Sequence, residues 1–171
     1  MKKLLFALLA GILLSCSNDS NSDDSSSVTG IWRFKMDGTQ YQWTSGNTDP
    51  LTPDSGSSTF VEGGSMTEID LLKATDPMFN FTFRIPTLNT GTYLLDFNNN
   101  KCAYLTDYRG TIVSYYTNAS NKITLNITEI NNNVTPNVIK GTFSGKLQRE
   151  NNQGVIVIKN ISEGYFEAIR E

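Results

Sequence analysis

The spacing that comes nearest to recognisable chemistry is Asp96-x-Asn98-x-Asn100, with Asp107 at the twelfth position counted from Asp96. Oxygen-bearing side chains at alternate positions, closed by a carboxylate at the twelfth, follow the rhythm of a calcium loop. Such a loop needs glycine at its sixth position, and here that position holds Lys101, a cation where a cation would have to bind. The stretch is therefore expected to be an Asn-rich turn and not a metal site. Glu68 and Asp70 are the next pair, because two positions on a strand share one side and glycoside hydrolysis requires paired carboxylates. Along one strand they lie only about 7 Å apart, and acidic pairs on a wet strand face are common. Histidine is absent, which removes Ser-His-Asp and Cys-His catalysis and every histidine-containing zinc site. The expectation is a chain that is not an enzyme and carries neither cofactor nor metal.

The cysteines are Cys16 and Cys102. Cys16 follows a basic start, Met1-Lys2-Lys3, and an apolar run from Leu4 to Leu14 that is too short for the roughly 20 residues of a membrane-spanning helix. Leu13-Leu14-Ser15-Cys16 resembles the lipobox of bacterial lipoproteins, which implies lipidation of the Cys16 thiol and cleavage just before it. Residues 1–15 then read as a signal peptide, and the lipid on Cys16 as the link to a membrane. Ser17 to Ser27 is almost wholly Ser, Asn and Asp, too polar to offset its own ordering entropy. Residues 16–29 are thus expected to be a lipidated cysteine and a disordered tether with a reach of about 20 Å. Asp19, Asp23 and Asp24 resemble a diluted form of the acidic run that marks surface display in the Bacteroidota, so the expected location is the outer membrane, exposed at the cell surface. Cys102 is left without a disulfide partner and, with no histidine to activate it, is expected to be a small apolar core residue.

Loss of residues 1–15 would remove Lys2 and Lys3 from the 14 basic residues and none of the 17 acidic ones, leaving 12 − 17 = −5. A mildly acidic chain with no basic stripe is not expected to bind nucleic acid. Residues 30–171 suffice for one hydrophobic core and one domain.

Aromatic residues supply the remaining candidates. Tyr115 and Tyr116 are adjacent, so on a strand they point to opposite faces and one of them is a candidate surface ring. Trp32 and Trp43 flank the first turn and are either the start of the core or the floor of a ligand platform, with the core reading favoured by the polar residues between them. Exposed rings among Asn, Gln and Asp side chains suit a sugar, which stacks its C–H face on the ring and bonds its hydroxyls to amides. The competing reading for Trp32, Trp43, Tyr115 and Tyr116 alike is cross-strand packing.

The elements that would hold these residues have an apolar period of two. Trp32, Phe34 and Met36 alternate with Arg33 and Lys35, Asp37-Gly38 supplies a two-residue turn, and Tyr41 and Trp43 alternate on the return. A loop is expected from Ser45 to Ser58, around Pro50 and Pro53. Strands are predicted over Thr67–Ala74, Phe79–Ile85, Thr92–Phe97, Thr111–Tyr116, Ile123–Thr128, Val138–Gln148, Val155–Ile158 and Tyr165–Ile169. The glycines of Val138–Gln148 suggest bulges or a close crossing. No stretch after Leu14 keeps a helical apolar period over a useful length. The fold class is all-β, an antiparallel sandwich of about ten strands, with an up-and-down lipocalin-like barrel as the alternative.

Phe34-Lys35-Met36-Asp37-Gly38 with Trp43, Gly91-Thr92-Tyr93, Ile123-Thr124-Leu125-Asn126-Ile127-Thr128, Gly141-Thr142-Phe143-Ser144-Gly145 and Gly164-Tyr165-Phe166 occur in order along the domain. Together they resemble a family of uncharacterised flavobacterial lipoproteins. The resemblance implies an all-β lipoprotein domain and brings no catalytic residue with it. The functional expectation is a noncatalytic surface module that binds polysaccharide or another envelope component. The alternatives are a purely structural or interaction protein of the envelope and a lipocalin-like carrier.

Overall fold

The computed structural model describes residues 30–44, 56–74, 78–98, 101–108 and 111–171. The expected signal peptide, Cys16 and the expected tether lie outside the described residues, as does the expected loop as far as residue 55.

Eleven strands make up the fold: β1 (Ile31–Met36), β2 (Thr39–Thr44), β3 (Gly56–Gly63), β4 (Met66–Lys73), β5 (Phe79–Ile85), β6 (Gly91–Leu95), β7 (Cys102–Asp107), β8 (Val113–Tyr116), β9 (Ile123–Asn131), β10 (Val138–Glu150) and β11 (Ile156–Arg170). The described residues contain no helix. All eleven strands belong to one continuous sheet, which folds over so that a layer β2-β1-β11-β10-β9-β6 faces a layer β3-β4-β5-β7-β8 across the aromatic core. The layers join on both sides, through β11 to β3 and through β10 to β8, so the ladders from β11 by way of β3, β4, β5, β7, β8 and β10 lead back to β11.

The first hairpin has the expected register. Asp37 and Gly38 both have positive φ, 50° and 84°, as the favoured two-residue turn demands. Trp32 stands opposite Trp43 and Phe34 opposite Tyr41. Trp32, Phe34, Met36 and Trp43 are buried and Tyr41 is half-buried, while Arg33, Gln40 and Gln42 face water. Across the core, Phe34 meets Phe79 and Phe81 at ring-centroid distances of 5.5 Å, and Phe143 meets Phe81 at 5.2 Å and Phe83 at 4.8 Å. The interior is thus filled ring against ring between the layers.

Departures from expectation have local causes. β3 and β7 are strands where none was predicted, and β3 takes in Gly56, Ser57 and Ser58 from the expected loop. In β3 the inward positions are Gly56, Ser58 and Phe60, and in β7 they are Ala103, Leu105 and Asp107, so the apolar alternation is diluted. The two predicted terminal strands are one, β11, which passes through a bulge where Glu163 has φ 53° and Gly164 lies against Phe143. Pairing is antiparallel except for a short parallel contact, Thr59 to Ile169 and Phe60 to Arg170, where the layers close. Register shifts beside Gly141 and before Gly145 come from extra residues in β9 and β11, not from bulges in β10, whose glycines instead allow the close approach of neighbouring groups. A Cβ on Gly141 would meet the Phe166 ring at 2.7 Å.

Cys102 is not a core residue. The parity of β7 sends Ala103 inward and leaves Cys102 half-buried on the outer face beside its register partner Arg84.

Candidate functional site

The outer face of β4, β5, β7 and β8 gathers four of the candidate residues, Glu68, Asp70, Cys102 and Tyr116. Cross-strand register sets Asp70, Thr82, Tyr104, Tyr116 and Gln148 side by side in one row, and Glu68, Arg84 and Cys102 in another. Glu68 accepts from Arg84 Nε, and Asp70 accepts from the Thr82 hydroxyl and, at 3.3 Å, from Asn80 Nδ2. Burial pushes the Asp70 carboxyl above its ordinary value, helped by the Glu68 charge and opposed by the hydrogen bonds from Thr82 and Asn80. The two carboxylates share a face as predicted, but each is committed to its own neighbours on β5. The Cys102 thiol is also pushed up, by burial, with Arg84 opposing, so the local field does not favour a thiolate.

The turn between β6 and β7 accounts for the calcium-like spacing. Asp96 Oδ1 accepts from the Asn98 amide at 3.1 Å, Asn98 and Lys101 form a bridge, and Lys122 Nζ lies 3.6 Å from Asp96 Oδ2. Asp107 sits at the far end of β7, about 16 Å along the strand from that turn. Asn100 lies outside the described residues. Asp96 caps a turn, and the spacing does not close around a cation.

The same turn presents Phe97 in a conformation an aromatic residue rarely adopts. Phe97 has φ 67°, in the left-handed region, and is 66% exposed. Its amide donates to the Lys101 carbonyl at 2.8 Å, which holds the backbone in place. Phe97, Tyr104, Tyr116, Thr117 and Asn118 line a shallow apolar cleft of about 520 Å³. On the other side of Phe97 lies a smaller depression of about 230 Å³ bounded by Met66, Arg84, Lys101 and Cys102. Arg84 stacks its guanidinium over Tyr104, 5.1 Å from the ring centroid, and so orients that ring. Amide groups border the face, with Asn121 Nδ2 donating to Gln148 Oε1 at 2.6 Å.

Of the four predicted platform residues, Trp32, Trp43 and Tyr115 are buried in the core and present no ring to a ligand. Tyr116 is on the outer face, opposite Tyr104. Phe97 and Tyr104 were missed. Phe97 left one trace in the sequence, an aromatic residue inside the run Asp96-Phe97-Asn98-Asn99-Asn100, where a turn offers no core to fill. Tyr104 left none, because the diluted apolar alternation of β7 does not mark it as a strand.

A second concavity, on the other layer, is lined in part by Arg33, Thr124, Asn126, Glu163 and Tyr165. There Arg33 covers the Tyr165 ring at 5.0 Å, and burial together with the hydrogen bond to Glu167 pushes the Tyr165 hydroxyl up to about 12.

Residues 54–170, more than half of the chain, match the domain of unknown function DUF6252. The chain belongs to this family. The matched stretch of the DUF6252 domain starts just before β3, yet the hairpin of β1 and β2 packs into the same core, Trp32 lying 5.2 Å from Phe79 ring to ring. No curated protein and no solved structure matches the chain.

Proposed function

We propose that this DUF6252 protein is a noncatalytic, glycan-binding lipoprotein of the bacterial outer membrane, anchored through Cys16 and exposed at the cell surface of a member of the Bacteroidota. The observation that carries the binding reading is Phe97, held outward in a left-handed turn beside Tyr104 and Tyr116. Strained and exposed apolar residues concentrate where a protein contacts something else. Ring faces with Asn118 lining the cleft and Gln148 in register beside Tyr116 suit a pyranose, which needs an apolar stack and hydroxyl partners; with both amide oxygens engaged inside the protein, the side-chain NH2 groups are the ones offered to hydroxyls. The carriage of a lipid in a barrel would need a hollow interior, and the Phe34, Phe79, Phe81, Phe83, Phe143 and Phe166 rings occupy that space.

The test is a glycan array followed by calorimetry on residues 28–171, which hold every strand and every core side chain described above. Binding to a polysaccharide that is lost in Phe97→Ala and Tyr116→Ala, with melting temperatures preserved, supports the reading. Absence of glycan binding, or equal binding by both variants, overturns it. The anchor is tested separately: Cys16→Ala should abolish membrane partitioning.

A further inference from the structure

Beside Tyr116 the sheet splits. β8 meets β10 at a single residue pair, Tyr116 with Gln148, and beyond it a gap opens, lined from Thr111 to Ser114 on one side and from Arg149 to Gln153 on the other. Ladder alternation decides which backbone groups face the gap. The Asn151 amide donates to the Val155 carbonyl at 2.9 Å, so the Asn151 backbone turns toward β11. In an antiparallel ladder this direction alternates by residue, so Glu150 turns its N–H and C=O away from β11 and into the gap. On the other side the Thr117 amide donates to the Ala103 carbonyl at 3.0 Å, which sends the backbone of Thr117 and Tyr115 toward β7 and that of Tyr116 and Ser114 toward β10. Ser114 and Glu150 are thus the next pair after Tyr116 and Gln148, but no ladder joins them.

The gap is a cleft of about 570 Å³, a match in size for the apolar cleft of about 520 Å³ beside Phe97, and Tyr116 borders both. Each falls within the range of small-molecule sites, about 300–1,000 Å³. Their linings are complementary. One offers the ring faces of Phe97, Tyr104 and Tyr116, and the other offers the open backbone of Ser114 and Glu150 with the exposed amide side chains of Asn152 and Gln153. Arg149 and Glu150 bring one charge of each sign to the second cleft, so its lining selects no charged ligand.

We infer that the two clefts are consecutive subsites for one neutral polysaccharide chain, which crosses the Tyr116 ring to pass from one to the other. The inference rests on the glycan reading above and adds the class of ligand: an uncharged chain of several sugar residues, not a single sugar. A sugar stacked on the rings presents its face to them and leaves hydroxyls in need of partners. The split in the sheet supplies donors and acceptors together, from backbone N–H and C=O and from side-chain amides, which is what hydroxyls that both give and accept hydrogen bonds require. A peptide fits the gap less well. Strand addition needs a run of open backbone groups along one edge, and here β8 opens only at Ser114 and β10 only at Glu150.

Calorimetry of residues 28–171 against cello-, xylo-, manno- and laminari-oligosaccharides, from mono- to hexasaccharide, reads the dependence on chain length. In a series that binds, affinity should rise at least about 10-fold from the monosaccharide to the tetrasaccharide. Asn152→Ala/Gln153→Ala truncates exposed turn side chains and keeps the Gln153 amide bonded to Asn151 Oδ1, so its circular dichroism and melting temperature should not change. It should weaken the tetrasaccharide at least about 10-fold and flatten the gain with length. Saturating tetrasaccharide should slow hydrogen exchange at the Ser114 and Glu150 amides of the unsubstituted protein. Equal affinity for monosaccharide and tetrasaccharide, an unchanged length dependence in the double variant, tetrasaccharide binding without protection at those two amides, or binding confined to acidic polysaccharides overturns this inference and leaves the glycan reading standing. Failure of every series and of the glycan array overturns that reading and this inference with it.

Discussion

Tyr115 and Tyr116 are consecutive residues with opposite surroundings. Tyr115 is 5% exposed, faces the core side of β8 and lies beneath the Arg149 guanidinium, 5.3 Å from the ring centroid. Tyr116 is 39% exposed and stands across from Tyr104 on the outer face. The two substitutions to alanine should therefore separate stability from recognition. Tyr115→Ala should cost about 3 kcal/mol of folding stability, as the removal of a buried ring does. Tyr116→Ala should cost under about 1 kcal/mol and instead weaken glycan binding. Denaturant titration and calorimetry on both variants check the pair, and a large stability loss in Tyr116→Ala would put that ring in the core.

Trp43 offers a matching test of the first hairpin. The ring is buried, and a Cβ on Gly56 of β3 would meet Trp43 Cδ1 at 2.8 Å, so hairpin and layer closure are packed against each other. Trp43→Ala should cost about 3–5 kcal/mol in chemical denaturation, with no specific effect on binding.

What could be read from the chain depended on how much contrast each strand face carried. Trp32, Phe34, Met36, Tyr41 and Trp43 against Arg33, Lys35, Gln40 and Gln42 make a sharp alternation, and with Asp37-Gly38 between them even the register was legible. Phe79, Phe81, Phe83 and Ile85 were equally legible as inward residues, although Thr82, expected on the wet side, is fully buried between Asp70 and Tyr104. Gly56, Ser58 and Ala103 are inward residues without bulk, so β3 and β7 carried no such signal. The candidate site rests on β7 and on the turn before it, which explains why only Tyr116 was anticipated there. Nothing local to the sequence states that Phe97 takes a positive φ, since that follows from the Lys101 carbonyl that closes the turn.

Asp70 gives the fold a pH dependence of unusual sign for a carboxylate. Burial is the largest cause holding its folded value above the ordinary 3.8, so folding favours the protonated form. The proton's contribution to stability is fully present below the unfolded value and is lost as pH rises through the folded one. At neutral pH the ionised carboxylate therefore weighs against the native state. Asp70→Asn keeps an acceptor for Thr82 and Asn80 and should raise the melting temperature at pH 7, the gain shrinking as pH falls through the raised folded value and vanishing below the ordinary 3.8. Thermal melts of both proteins across that range check the sign. A variant equally destabilised at both pH values would show that the charge itself is needed by its neighbours.

The sharpest test of the proposed function sets stability against binding at Phe97. A left-handed φ costs a residue with a Cβ about 1–2 kcal/mol. Glycine escapes that cost but adds about 0.5–1 kcal/mol of chain entropy in the unfolded state. Phe97 buries little of its ring, so truncation removes few core contacts. Phe97→Gly should therefore leave the fold as stable as before or stabilise it by up to about 1 kcal/mol, whereas Phe97→Ala keeps the strain and should gain nothing. If the turn exists to present the ring, the glycine variant should at the same time lose at least about 10-fold in affinity for the glycan, a loss of about 1.4 kcal/mol. A substitution that strengthens the fold while abolishing binding is the signature of strain kept for function. Calorimetry and denaturant unfolding on the same two variants read both quantities, and a Phe97→Gly protein that is markedly less stable would show that the ring is held outward for the fold and not for a ligand.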